Sequence, residues 1–278
     1  MMAGILTIAH LTLYEARRRR IVLASALCGV AFLAVYATGL YFIFRGFTPG
    51  DAMERAVASM MSTGLGLYGV NFLTVASAVL LSVDTLSGEI GSGVIQTLAS
   101  KPLRRMDIVA GKWLAYWLLT IAYLLAMAGG IVLIVRLITG YMQPGLERAI
   151  PLIALEATVL LTVSIAGGTR FNTVTNGIVA FGFYGLAFVG GLVEQAGTFT
   201  GNLAARDIGT AVSLISPADA LWRMAAYELT PPIVRGLELG PPMFWNASAP
   251  TTAMVVWSVG LIVVMLAVSL RAFNRRAL

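Results

Sequence analysis

Apolar positions gather into six long runs: Ile21–Phe44, Ser62–Val83, Ile108–Val135, Pro151–Ala166, Thr173–Val193 and Thr252–Leu270. Each approaches the roughly 20 residues that an α-helix needs to cross a bilayer. The fourth is the shortest, and Pro151 suits its first turn, where a missing N–H costs nothing. Ahead of the first run, Ile5, Ile8, Ala9 and Leu13 form a rough helical stripe that Arg17–Arg20 bring to a stop. The pattern fits a helix over 1–20 lying in the membrane plane, or else a frayed tail. A polar island, DTLSGEIGSGVIQTLASKPLRRMDIVAGK, separates the second and third runs at 84–112. Residues 194–250 form the one long hydrophilic connection. There Ser216-Pro217-Ala218-Asp219 reads as a helix start, predicting a helix from Pro217 to Leu229, with Pro231-Pro232 beyond its end. Trp222, Phe244 and Trp245 read as anchors at the membrane interface, so this segment should lie against or dip into the outer leaflet.

Composition agrees with the runs. Hydrophobic residues make up 58% of 278 positions and charged residues 12%, too few to coat a soluble globule of this length. The class is all-α integral membrane protein. The net charge of +6 would point to nucleic acid in a soluble chain, but here the basic residues sit at the ends of apolar runs. That distribution concerns orientation in the bilayer and calls for no nucleic-acid partner. An N-terminus in the cytoplasm puts Arg17–Arg20, the island, Arg170 and the C-terminal arginines on one side. Twelve basic residues then face four in the opposite short loops, so both termini of a cell-membrane protein should be cytoplasmic. The first run continues to Phe44, beyond the core of a cleaved export signal, and reads as a retained helix. Cys28 is the single cysteine and His10 the single histidine, which leaves no disulfide and no metal-ligand spacing.

The island has a physical logic of its own. Ser87 can cap a helix with Glu89 in its first turn, and Val94, Ile95 and Leu98 share one face. Ser92, Gln96 and Ala99 give a small polar face, Pro102 ends the segment, and Arg104 and Arg105 meet the headgroups. A short helix parallel to the membrane satisfies these rules, and so does a solvated loop with basic anchors. Glu156 lies inside the fourth run, where an unpaired carboxylate is costly. Arg136 is the partner that the sequence offers. The pair would serve as a helix–helix tie, with a protonated Glu156 as a variant, or would handle substrate or protons. Asn71, Thr74 and Ser77 in the second run, with Asn176, Phe181, Tyr184 and Phe188 in the fifth, give a mixed surface of small, aromatic and weakly polar groups. Ordinary close packing through small residues explains such a surface as well. Neither H-E-x-x-H, nor G-x-S-x-G, nor a P-loop occurs, and no residue presents itself as catalytic. An intramembrane lipid-modifying or hydrolytic enzyme, or a non-transporting assembly scaffold, stays as the alternative to a transporter.

Asp84, Ser87-Gly88-Glu89, Gly93, Leu98, Lys101-Pro102, Arg104-Arg105 and Gly111-Lys112 together resemble the second-to-third-span loop of ABC-2 type transporter permeases. Val94 stands where that family often has threonine. The likeness covers the chain from its N-terminal helix to the late Ser-Pro-x-Asp segment and the final arginines, and that segment is also similar to permeases of copper-enzyme maturation. The resemblance implies a single permease domain over 1–278, with an in-plane helix and six spans, like a type V ABC exporter. Residues 84–107 would be the cytoplasmic coupling loop and 194–250 an extracytoplasmic loop. It also implies a second permease subunit and a separate ABC ATPase subunit that carries ATP and Mg, with no cofactor on this chain. Ser87, Gly88, Glu89, Gly93, Gln96, Leu98, Lys101, Pro102, Arg104 and Arg105 would meet the ATPase. Asn71, Thr74, Phe181, Tyr184 and Phe188 would line the path of an amphipathic or lipid-like substrate.

Overall fold

A backbone that crosses hydrocarbon must satisfy its own N–H and C=O groups, and this chain does so with helices. The computed structural model describes residues 2–47, 52–88, 105–230 and 251–274. The helices among them are α1 (Met2–Ala16), α2 (Arg20–Arg45), α3 (Ala52–Ser82), α4 (Arg105–Thr139), α5 (Leu146–Gly168), α6 (Thr173–Thr200), α7 (Leu203–Ile215), α8 (Ala218–Leu229) and α9 (Thr252–Asn274). Six of them, α2 to α6 and α9, are long and apolar enough to cross a membrane, one for each apolar run. Their crossings alternate, so Arg17–Arg20, the root of the island, Arg170 and Arg271 share one end of the bundle, called here the basic end.

The helices outrun their apolar cores. α3 starts at Ala52, well before Ser62, and α5 starts at Leu146 rather than Pro151. Gly145, at φ 76°, turns the chain into α5 and adds a turn carrying Glu147. Pro151 therefore lies inside the helix rather than in its first turn, where it removes one hydrogen bond to the preceding turn. α5 is the core of the bundle, buried on nearly every side from Leu152 to Ile165. Two indoles tie α4 to it: Trp113 Nε1 donates to Thr162 Oγ1 at 2.9 Å and Trp117 Nε1 to Thr158 Oγ1 at 3.0 Å. The two tryptophan rings stack at 6.2 Å. α2 lies at the periphery, with only Gly29, Leu40 and Phe44 buried.

The segment read as a hydrophilic loop after Glu194 is, through Thr230, a helical hairpin. α6 runs on to Thr200, Gly201 (φ 70°) reverses the chain, and Asn202 caps α7 by accepting from Ala205 N at 3.2 Å. α7 returns antiparallel along α6. A side chain at Gly197 would strike the Ala205–Arg206 backbone, one at Gly209 the backbone of Glu194, and one at Gly190 the side chain of Val212. At the bottom Ser216 Oγ donates to Phe183 O at 2.8 Å, midway along α6. α8 then climbs beside α5 until Leu229 O accepts from Gln143 Nε2. Ser216 is thus a hinge bonded to α6 and not a helix cap, and Pro217 occupies the cap position before Ala218. Trp222 is no interfacial anchor either: it is buried and meets the Tyr68 ring edge-on at 5.2 Å. Phe244 and Trp245 lie outside the described residues.

Candidate functional site

The root of the island is held to the fifth span. At the end of α3 the chain turns through Val83–Leu86, and Gly88 N bonds back to Asp84 O at 3.0 Å. Thr173, the first residue of α6, donates from Oγ1 to Asp84 Oδ1 at 2.8 Å. Ser87 Oγ lies 3.0 Å from the same hydroxyl and donates to Val83 O at 2.8 Å. Ser87 thus bonds backward to the end of α3; the N–H groups it would cap in an island helix lie outside the described residues. The Asp84 carboxylate sits where a side chain on residue 88 would be, which leaves glycine as the residue that fits. One turn into α6, Asn176 is fully buried and donates to Val83 O at 3.1 Å and Ser164 O at 2.8 Å. One amide thus binds the ends of α3 and α5 to the start of α6. Asn172 caps that start, accepting from Thr175 N at 2.8 Å.

The far side of the island opens α4 at Arg105, and α1 is packed against these first turns. Ile8, Ala9, Thr12 and Ala16 are buried, while Leu6, Leu11 and Tyr14 face outward. The contact is close. A Cβ on Gly111 would lie 2.7 Å from Ile8 Cβ and 2.8 Å from Ile5 O, and one on Gly4 would lie 2.8 Å from Asp107 Oδ2. Among the residues expected to couple, Ser87, Gly88 and Arg105 fall in the described parts. Glu89, Gly93, Gln96, Leu98, Lys101, Pro102 and Arg104 lie outside them.

The intramembrane polar groups are arranged otherwise than the sequence suggests. Glu156 is 0% exposed and accepts from Asn71 Nδ2 at 3.3 Å, while Arg136 is exposed. The expected Arg136–Glu156 ion pair does not form, and depth explains it. Arg136 lies roughly 5 Å from the end of α4, whereas Glu156 lies about 15 Å along α5 from Leu146, at 1.5 Å per residue. Asn71 and Thr74 are themselves buried, so within one chain they face its core and no open path. Phe181 and Phe188 are 40% and 37% exposed on α6, with Tyr184 partly buried between them and 6.5 Å from the Phe72 ring.

Sequence reasoning missed a charged cluster in the hairpin. Arg223, on α8, is 6% exposed; its NH2 donates to Glu194 Oε2 at 2.7 Å and its Nε pairs with Asp219 Oδ2 at 2.9 Å. Burial pushes the Asp219 carboxyl up to about 6, against the pull of Arg223 and with a further push from Glu194. The i, i+4 spacing of Asp219 and Arg223 was legible; the third member, Glu194, needs the hairpin fold to arrive. No group of three or more potential metal-binding His, Cys, Asp or Glu side chains occurs among the described residues.

A family model described as ABC-2 family transporter protein matches residues 6–278. No curated protein matches the chain.

Proposed function

The chain belongs to the ABC-2 family of transporter proteins, and from that premise we propose that it couples ATP hydrolysis on a separate ABC ATPase subunit to export. It is the multi-pass membrane subunit of the transporter, with ATP and Mg bound by the ATPase and not by this chain. The basic end faces the cytoplasm of a cell-membrane protein and presents α1 and the island, 84–107, to the ATPase. Two permease subunits face each other across a path to which α6 contributes Phe181, Tyr184 and Phe188, a surface suited to an amphipathic or lipid-like cargo.

One observation carries this reading: both ends of the island are rooted in spans. Asp84 and Ser87 join its start to the first turn of α6, and α1 grips the first turns of α4 beyond its end. Force applied at the island therefore reaches the second, third and fifth spans together, through hydrogen bonds and close backbone contact. A solvated loop with basic anchors would have no reason for such roots.

The direct experiment solubilises the protein from its native membrane and asks whether a P-loop ATPase co-purifies and hydrolyses ATP faster with the permease present. Glu89→Ala and Gly88→Trp should each detach or uncouple the ATPase while leaving membrane insertion intact. An ATPase that binds and turns over normally with both variants rules out this role for the island.

A further inference from the structure

Over its first two turns α2 stands away from α3, and a groove of about 300 Å³ opens between α2, α3 and α4. Small residues make it: Ala24, Ser25 and Cys28 on α2 face Ala76 and Ser77 on α3, and Tyr123 of α4 closes the third side. Its walls are almost wholly apolar. It lies in the half of the bundle next to the basic end, since Ile21 and Leu80, each near that end of its helix, also line it. An empty apolar groove beside lipid forfeits dispersion contacts on one side, so acyl chain fills such a space more readily than nothing does.

Charge selects among lipids. Arg17–Arg20 mark the headgroup level at this end of α2. Arg19 is taken by Glu15 at 2.8 Å, and Arg18 lies over the Tyr14 ring at 5.1 Å. Arg17 and Arg20 are exposed and make no ion pair among the described residues, and Arg20 precedes the groove-lining Ala24 by one helical turn. A guanidinium matches a phosphate in shape and charge. We propose that the groove binds one acyl chain of an anionic phospholipid whose phosphate is held by Arg17 and Arg20. The site lies in the leaflet at whose surface these arginines sit. It stands apart from the proposed export path, and it needs neither ATPase nor cargo.

Cys28 lines the groove and is the single cysteine of the chain, so it reports occupancy without an introduced label. The whole protein, delipidated in detergent, is alkylated with N-ethylmaleimide in mixed micelles of rising phosphatidylglycerol or phosphatidylcholine content. Both lipids should slow the reaction, with phosphatidylglycerol acting at lower content. Arg20→Gln should raise the phosphatidylglycerol midpoint about fivefold, the worth of one basic residue against an anionic lipid surface. Ala76→Phe, which fills the groove, should react slowly whether or not lipid is added. Equal midpoints for the two lipids in the unmodified protein, a comparison that needs no variant, would overturn the preference for an anionic headgroup and with it the proposal. Alkylation indifferent to both lipids overturns the proposal, and so does a Cys28–Cys28 cross-linked dimer in native membranes, which would put a second copy of the chain in the groove.

Discussion

Asn71 and Glu156 have no water to fall back on, so what each loses without the other is mostly the cost of an orphaned polar group in the core. Glu156→Ala removes the acceptor and should destabilise the protein by about 1–3 kcal/mol, the desolvation cost of an unsatisfied buried amide. Glu156→Gln keeps a carbonyl for Asn71 Nδ2 and should melt close to the unmodified protein. Thermal unfolding in detergent, followed by tryptophan fluorescence, separates the two. Transport by Glu156→Gln in reconstituted vesicles should also be unchanged if the residue is a tie. Asp219 makes the opposite kind of case, a carboxyl whose charge is opposed by burial. Its folded value of about 6 lies above the unfolded 3.8. The folded state therefore holds the proton more tightly, and this group's contribution to stability is present at low pH and lost as pH rises through about 6. Between those two values the melting temperature should fall more steeply with pH in the native protein than in Asp219→Asn. The need of Glu156 for a partner was legible in the sequence; its identity was not. Asn71 is two crossings away along the chain, and only the packing of α3 on α5 brings it to the same depth.

Elements were legible where length and hydropathy speak together or where a start and stop signal frames a short helix, and illegible where neither does. The six spans and the helix before them stand where the apolar runs put them. α8 was legible from its proline, its early acid and the prolines beyond it, and it starts one residue later than expected, at Ala218; α7, 13 residues long, lies below the roughly 20 that mark a crossing and reads as loop. Yet three of the charges are spent inside the hairpin, Arg223 on Glu194 and Asp219, and the glycines that seat α7 on α6 were in plain view as a polar, small-residue stretch. α7 packs along α6 and α8 along α5, so the larger helices cover these two short ones on one side. Gly209→Leu should break that cover, because its side chain would enter the backbone of Glu194. Trypsin added to vesicles from the hairpin's side should then cut at Arg223, which is buried and protected in the native protein. Cleavage equal in both proteins would mean that α7 is not seated this way. The proposed coupling segment was legible in a different sense: the motif marks residues 84–112, and the structure shows what its first residues touch. Asp84, Ser87 and Gly88 serve as the joint with α6, a role that no local pattern could assign because Thr173 is far along the chain.

At the scale of the molecule, an island rooted in two spans is useful only if the bundle moves as a few stiff pieces. The hydrogen bonds suggest which ones. α3, α5 and α6 are joined at the basic end by Asp84, Thr173 and Asn176, and α1 with α4 forms a second group through the contact of Gly111 with Ile5 and Ile8, held to the first by the bonds of Trp113 and Trp117 to α5. The island is a further, covalent link between the two. A substitution in either root should then leave ATPase binding intact and weaken transmission, which differs from a substitution in the island itself, where binding goes first. Thr173→Val keeps the shape of the side chain and removes the hydroxyl that Asp84 accepts from. The reconstituted complex should keep its ATPase while ATP hydrolysis becomes less responsive to cargo, with a loss of about tenfold, the lower end of the roughly 1.5–3 kcal/mol net worth of a hydrogen bond to a charged group. Gly111→Leu, which pushes α1 off α4, should produce the same separation from the other side, together with exposure of α1 to protease. The two changes lie in different groups and share no partner, so their effects on coupling should multiply if force crosses the island in series. A double variant no worse than the more damaging single one would instead place both residues at a single joint, and the two-group description of the basic end would have to be given up.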